Sequence, residues 1–149
     1  MSALSDRIQS DLHEAMRARD ETRKSALRML TAAVKNAEIA AGSSLDDDGV
    51  VGVVQKQVKQ RRESIVEFEK ANRGDLVAKE RGEMEVLEVY LPEQAGRDQI
   101  ETAARRVIAE TGATSARDVG KVMPVLIKEF AGRADGREIS EVVRLLLGA

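Results

Sequence analysis

Apolar residues recur along this chain at intervals of three and four, and nowhere do they alternate over a strand's length. That period is one face of an amphipathic helix, so the pattern predicts an all-helical protein. Leu4, Ile8, Leu12 and Ala15 mark a first helix, with Ser2 or Ser5 as its cap and an end near Arg19. Asp20 reads as the N-cap of a second helix, whose seam is Leu27, Leu30, Val34, Ala37 and Ala41. Its side-chain oxygen can accept from a free first-turn N–H. Gly42-Ser43-Ser44 closes that helix. A third runs from about Val50 into Ala71 on Val51, Val54, Val58, Ile65 and Phe68. Arg61 falls on the same track. Either its stem packs on the seam edge with its head in water, or its head is buried and paired with Glu83 or Glu80. Asp75 is expected to cap a fourth helix on Leu76, Met84, Leu87 and Leu91. Gly82 inside it points to a close helix crossing.

Tyr90-Leu91-Pro92 ends this series, because the residue before a proline is pushed out of the α region. The predicted organisation is an N-terminal domain of about four helices, residues 1–92, followed by a C-terminal three-helix bundle, residues 93–149. In the second part Ile100, Ala103, Ala104, Val107 and Ile108 form one face, stopped by Gly112. Ser115 with Asp118 suggests a capping box for the next helix, on Val119, Val122, Met123, Leu126, Ile127 and Phe130. Pro124 inside it cannot donate to the Gly120 carbonyl. A kink is expected there, or a later start near Met123. Gly132 is placed to take a left-handed cap. Asp135 with Glu138 predicts a capping box for a last helix on Ile139, Val142, Val143 and Leu146.

Composition narrows the chemistry. The 149 residues include no cysteine, one histidine and only three aromatic side chains, Phe68, Tyr90 and Phe130. Thiolate catalysis and cysteine–zinc sites are therefore excluded. No nucleophile–base–orienter set can be assembled around His13 alone. A base-stacking platform of the single-strand type would need more aromatics. L-D-D-D-G at Leu45–Gly49 resembles a calcium loop until the register is tested. With Gly49 sixth, position one is Ser44 and position twelve Gln55, where acids are required. It reads as a helix cap. No catalytic residue, cofactor or metal is expected. No stretch approaches the roughly 20 apolar residues that span a bilayer. The polar N-terminus carries no signal-peptide pattern, so the expected location is the cytoplasm.

The net charge is −2. Residues 1–92 carry 15 Lys and Arg against 17 Asp and Glu; residues 93–149 carry nine of each. DNA binding is thus not expected, and any nucleic-acid site is a local patch. The best patch surrounds Asp118–Arg137: Lys121, Arg133 and Arg137, extended by Arg117 and Lys128. Guanidinium forks on a short loop suit phosphate or carboxylate. The plainer alternative is that these arginines cap the preceding helix. Lys24, Arg28 and Lys35 lie within about 40° of one another on the second helix. They form a secondary basic stripe or an ordinary solvated face.

Five segments occur in order over nearly the whole chain: Leu27–Ile39, Lys56–Ile65, Glu88–Gln94, Asp118–Met123 and Gly132–Arg137. Together they resemble the YqeY family. The resemblance implies an all-helical protein similar to the C-terminal portion of GatB, the B subunit of the glutamine-dependent aminoacyl-tRNA amidotransferase. There the tail domain contacts tRNA, and a separate cradle domain, without counterpart here, holds the chemistry. It therefore implies tRNA as a partner, with an amidotransferase or synthetase as a protein partner. It also carries a carbon–nitrogen ligase association with glutamine as amido donor. Proline directly after Met123 departs from the family's pattern, which places it later in that helix. The expected function is a non-catalytic tRNA-binding or tRNA-associated module; docking onto a tRNA-processing enzyme is the alternative.

Overall fold

The computed structural model describes residues 2–148. Among them are seven α-helices and no strand: α1 (Ala3–Arg17), α2 (Glu21–Ala41), α3 (Asp47–Lys70), α4 (Gly74–Glu88), α5 (Arg97–Thr111), α6 (Val119–Glu129) and α7 (Gly136–Leu146). The chain divides into two compact units, Met1–Leu91 and Pro92–Ala149.

In the first unit the seams meet as helical periodicity requires. Ile8 and Ala15 of α1, Leu27, Leu30 and Val34 of α2, and Val50, Val54 and Val58 of α3 are buried together with Leu87 and Tyr90. The seam of α3 starts at Val50, with Val51 only partly buried. In the run V-V-G-V-V either register satisfies the pattern. Ser2 caps α1, its hydroxyl accepting from the Ser5 N–H at 3.0 Å. Asp20 caps α2 by accepting from the Arg23 N–H at 3.1 Å. Asp46 caps α3 by accepting from the Gly49 N–H at 2.8 Å, so the acidic run is a helix start. The next carboxylate, Asp47, accepts from the Leu4 N–H of α1 at 3.1 Å.

Four helix ends share one device. Arg19, Gly42, Asn72 and Gly112 all have positive φ, from 55° to 71°. In each case the following N–H reaches back five residues: Asp20 to the Ala15 carbonyl, Ser43 to Glu38, Arg73 to Phe68 and Ala113 to Ile108. This is the Schellman arrangement, which satisfies carbonyls the helix leaves open. The first of them ends α1 at Arg17, ahead of Arg19. Asp75 is not the cap of α4; that position is Arg73. Asp75 stands in the first turn and accepts from Arg73 Nε at 3.2 Å and Nη2 at 3.1 Å.

Arg61 is buried, only 3% exposed, and so is Glu83, at 4%. Arg61 Nε lies 3.5 Å from Glu83 Oε2, so Glu83 is the partner from α4. Ser25 of α2 donates to the other Glu83 oxygen at 2.9 Å. This network ties three helices together. Gly82 stands beside it, where an added Cβ would lie 3.4 Å from Thr22 Cγ2.

The second unit packs α5, α6 and α7 around Ile100, Ala104, Val107, Val122, Leu126, Phe130, Ile139 and Val143. A single 3-10 turn, Ala116–Asp118, leads into α6. The later start near Met123 is corrected: α6 is helical from Val119, with Pro124 inside it. Gly120 and Pro124 are both exposed. The helix bond that Pro124 cannot make to Gly120 is therefore lost on the exposed side of α6, where water can replace it. Ile127 is exposed, outside the buried face to which its spacing assigned it.

Candidate functional site

The sequence directs attention to α6 and the loop after it. The start of α6 is organised by Asp118. Its Oδ2 accepts from the Thr114 N–H at 2.9 Å and the Ser115 N–H at 3.4 Å. Lys121 Nζ lies 3.3 Å from Oδ1 of the same carboxylate. The Thr114 N–H and then Lys121 hold the Asp118 carboxyl below the usual carboxylate range.

Lys121 and Lys128 are seven residues apart, so they lie within about 20° on one face of α6 and about 10 Å apart along its axis. Both are exposed, as are Arg117 before the helix and Arg137 in the first turn of α7. Among the described residues, the side chains of Arg117, Lys128 and Arg137 have no ion-pair or hydrogen-bond partner. The other arginines of this unit are engaged. Arg97 lies 3.9 Å from Glu141 and Arg105 2.9 Å from Glu101. Arg106 Nη2 donates to both Glu129 oxygens, at 2.6 and 2.7 Å. Arg144 Nε donates to Ser140 Oγ at 3.2 Å.

Arg133 is not the free fork that the sequence suggested. Gly132 takes φ 78°, which lets the chain turn at the end of α6. Arg133 is then partly buried, its guanidinium carbon 5.6 Å from the centroid of the Phe130 ring. Its Nε donates to the Glu93 carbonyl at 3.1 Å, and its own carbonyl accepts from the Ala95 N–H at 2.8 Å. Beside it, Gln94 Nε2 donates to the Gly132 carbonyl at 2.9 Å and the Pro92 carbonyl at 2.7 Å. Thus Glu93, Gln94 and Ala95 are clasped by Gly132 and Arg133. Two of the motif segments meet here for a structural reason, through main-chain groups that carry no sequence signal. Nor do the five cations gather around one loop: Arg117 and Lys121 stand at the start of α6, Arg133 and Arg137 beyond its end. Asp135 caps α7 by accepting from the Arg137 N–H at 3.1 Å. Glu138 is a first-turn acid there, and the Asp135–Glu138 box is replaced by this bond.

The secondary stripe is weaker. Lys24 is partly buried, 3.7 Å from Glu21. Arg28 and Lys35 are exposed. Lys35 lines a cleft of about 190 Å³ between α1 and α2 with Ser5, Gln9, Thr31 and Glu38, and the one other charged residue of that lining is an acid. His13 is an exposed residue of α1. Among the described residues, no three His, Cys, Asp or Glu converge as metal ligands. No described helix is long and apolar enough to cross a membrane.

The family model for the Yqey-like protein matches residues 5–147. The chain belongs to the YqeY family. Among curated relatives, a Pyrenophora tritici-repentis protein named Altered inheritance of mitochondria protein 41, mitochondrial, is 32% identical over 146 residues, covering 96% of this chain and 80% of that protein. The Saccharomyces cerevisiae protein of the same name is 44% identical over 85 residues, or 56% of this chain and 46% of the relative. One from Lachancea thermotolerans is 42% identical over the same length. The matched region thus spans less than half the length of the yeast relatives. The expectation of a cytoplasmic protein is corrected here. Relatives that this YqeY-family chain matches are named as mitochondrial, and the N-terminal polarity on which that expectation rested does not decide between compartments.

Proposed function

We propose that this YqeY-family chain is a non-catalytic helical module that binds structured RNA of the tRNA class by its backbone. The contact surface is the exposed line of Arg117, Lys121, Lys128 and Arg137 along and beside α6. One observation supports this reading above the others. In a unit of zero net charge, Arg97, Arg105 and Arg106 are paired with an acid and Arg133 and Arg144 are held by a carbonyl and a hydroxyl, while Arg117, Lys128 and Arg137 are left without a partner among the described residues. RNA helices are recognised by shape and backbone contacts, which a few cations on a rigid helix can make without aromatic platforms. The similarity to the amidotransferase B-subunit tail points the same way. The amide-forming chemistry associated with that enzyme would then lie in a partner, and this chain would supply binding.

Docking on a tRNA-processing enzyme is the second reading. It is favoured by the exposed apolar side chains Val125, Ile127 and Leu145 on the same unit. The two readings separate in one experiment: retention of bulk tRNA at two salt concentrations, with double-stranded DNA as control. RNA binding gives salt-sensitive retention of tRNA over DNA, reduced by Arg117→Ala, Lys128→Ala and Arg137→Ala together. A docking module retains no RNA at low salt.

A further inference from the structure

Arg61 of α3 is buried, yet its five N–H donors are served unequally. Nη1 donates to the Gln57 carbonyl at 3.2 Å and to Gln57 Oε1 at 3.1 Å. Nε makes the ion pair with Glu83 at 3.5 Å but has no hydrogen-bond partner. Nη2 has only the thioether sulfur of Met29, on α2, at 3.4 Å. A thioether is a weak acceptor, whereas a guanidinium makes its strong bonds to oxygen. Met29 is itself 53% exposed, more open than Met16 at 43%, the other exposed methionine among the described residues of this unit. The side chain that covers the underserved edge of a buried cation is therefore open to oxidants from the solvent side.

We propose that Met29 is an oxidation site whose sulfoxide is held by Arg61. A peroxide supplies the oxygen. The sulfur lone pair attacks one peroxide oxygen, the S–O bond forms and the O–O bond breaks. Sulfur loses two electrons, and hydrogen peroxide is reduced to water, with the proton of the transferred oxygen ending on the leaving one. The product places a strong, partly negative acceptor on the sulfur that already stands 3.4 Å from Nη2. Methionine oxidation ordinarily loosens apolar packing. Here it adds a charge-assisted hydrogen bond between α2 and α3, so the modified chain is tightened at this junction. Oxidised and reduced forms then differ in how firmly the first unit holds together.

The test treats the full chain with hydrogen peroxide, maps the products by peptide mass and follows thermal unfolding by near-ultraviolet circular dichroism. Tyr90, the one tyrosine, belongs to the first-unit core and reports on it. Met29 sulfoxide is expected to form alongside Met16 sulfoxide, and the Tyr90 transition to rise by about 2–4 °C. Met29→Leu removes that rise. Met29→Gln, which carries an amide oxygen at a similar reach, melts above Met29→Leu without peroxide. The proposal is overturned if Met29 stays unmodified while Met16 is converted. It is equally overturned if oxidation lowers the Tyr90 transition in the wild type but not in Met29→Leu.

Discussion

Two side chains set the residue-scale account. Arg61 and Glu83 are each a costly burial alone, and each is tolerable because the other is there. Arg61→Leu leaves the Glu83 carboxylate without its cation and is expected to destabilise the first unit by about 3–5 kcal/mol. Replacing both by leucine should recover most of that loss. Denaturant unfolding of the single and double variants checks it, and equal losses in Arg61→Leu and the double variant would show that the stranded carboxylate is not the source of the cost. The other residue is Tyr90, whose hydroxyl donates to Asp11 Oδ2 at 2.5 Å while Arg7 stacks on its ring at 5.0 Å. Burial first, and then the Asp11 carboxylate, push its hydroxyl well above the ordinary tyrosine value. A raised pKa means that the neutral form is the one the fold favours. Its contribution to stability is whole below about pH 10, where the unfolded tyrosine is also neutral, and is lost as pH rises beyond that. With one tyrosine in the chain, absorbance at 295 nm isolates the event. Ionisation should coincide with unfolding in the wild type and come at lower pH in Asp11→Asn. Of these two, the Arg61 pairing was legible as one of two alternatives, because Arg61 stands on a seam and, if buried rather than reaching to water, needs an acid such as Glu83 or Glu80. The Tyr90–Asp11 bond was not, since it joins residues 79 apart with no periodic relation.

At the scale of the element, local signals carried far and stopped at definite points. The caps at Ser2, Asp20 and Asp46 and the left-handed glycines at Gly42, Gly112 and Gly132 depend on neighbours a few residues away, which the sequence shows directly. Arg19 and Asn72 take the same left-handed turn without a glycine. That conformation costs a side-chain-bearing residue about 1–2 kcal/mol. Arg19→Gly is therefore expected to leave stability unchanged or raise it by up to about 1 kcal/mol, read as a shift in the denaturant midpoint. Glycines inside helices give the opposite case. A Cβ at Gly52 or Gly120 would meet nothing within 4 Å, so Gly52→Ala and Gly120→Ala should each stabilise by about 0.5–1 kcal/mol. A loss at either site would mean that the open surface seen there is covered by a partner. The helical face of α6 and the capping box of Ser115 and Asp118 ahead of it were legible, but the choice between a helix running on from there and a later start near Met123 was not. An interior proline costs a helix least on its exposed side, and Gly120 and Pro124 both lie there. The clasp of Glu93–Ala95 by Gly132 and Arg133 was likewise out of reach, because its acceptors are main-chain carbonyls.

For the whole molecule, the all-helical class follows from periodicity and composition, and membership of the YqeY family from the match over residues 5–147. The site is where sequence and structure part. Arg133 leaves the set of free cations by serving the loop. Arg133→Ala is thus expected to loosen the second unit before it affects any ligand, visible as faster amide exchange at Ala95, whose N–H bonds the Arg133 carbonyl. The remaining cations form the claim that most needs testing. We would measure tRNA affinity across a salt series for the wild type and for Arg117→Ala/Lys128→Ala/Arg137→Ala, with circular dichroism to confirm the fold. The account predicts weak binding that falls with salt, and a log–log slope shallower by about 0.7–0.9 for each phosphate contact removed. Binding of equal strength and equal salt dependence in the triple variant would contradict it, as would the absence of tRNA binding by the wild type at low salt.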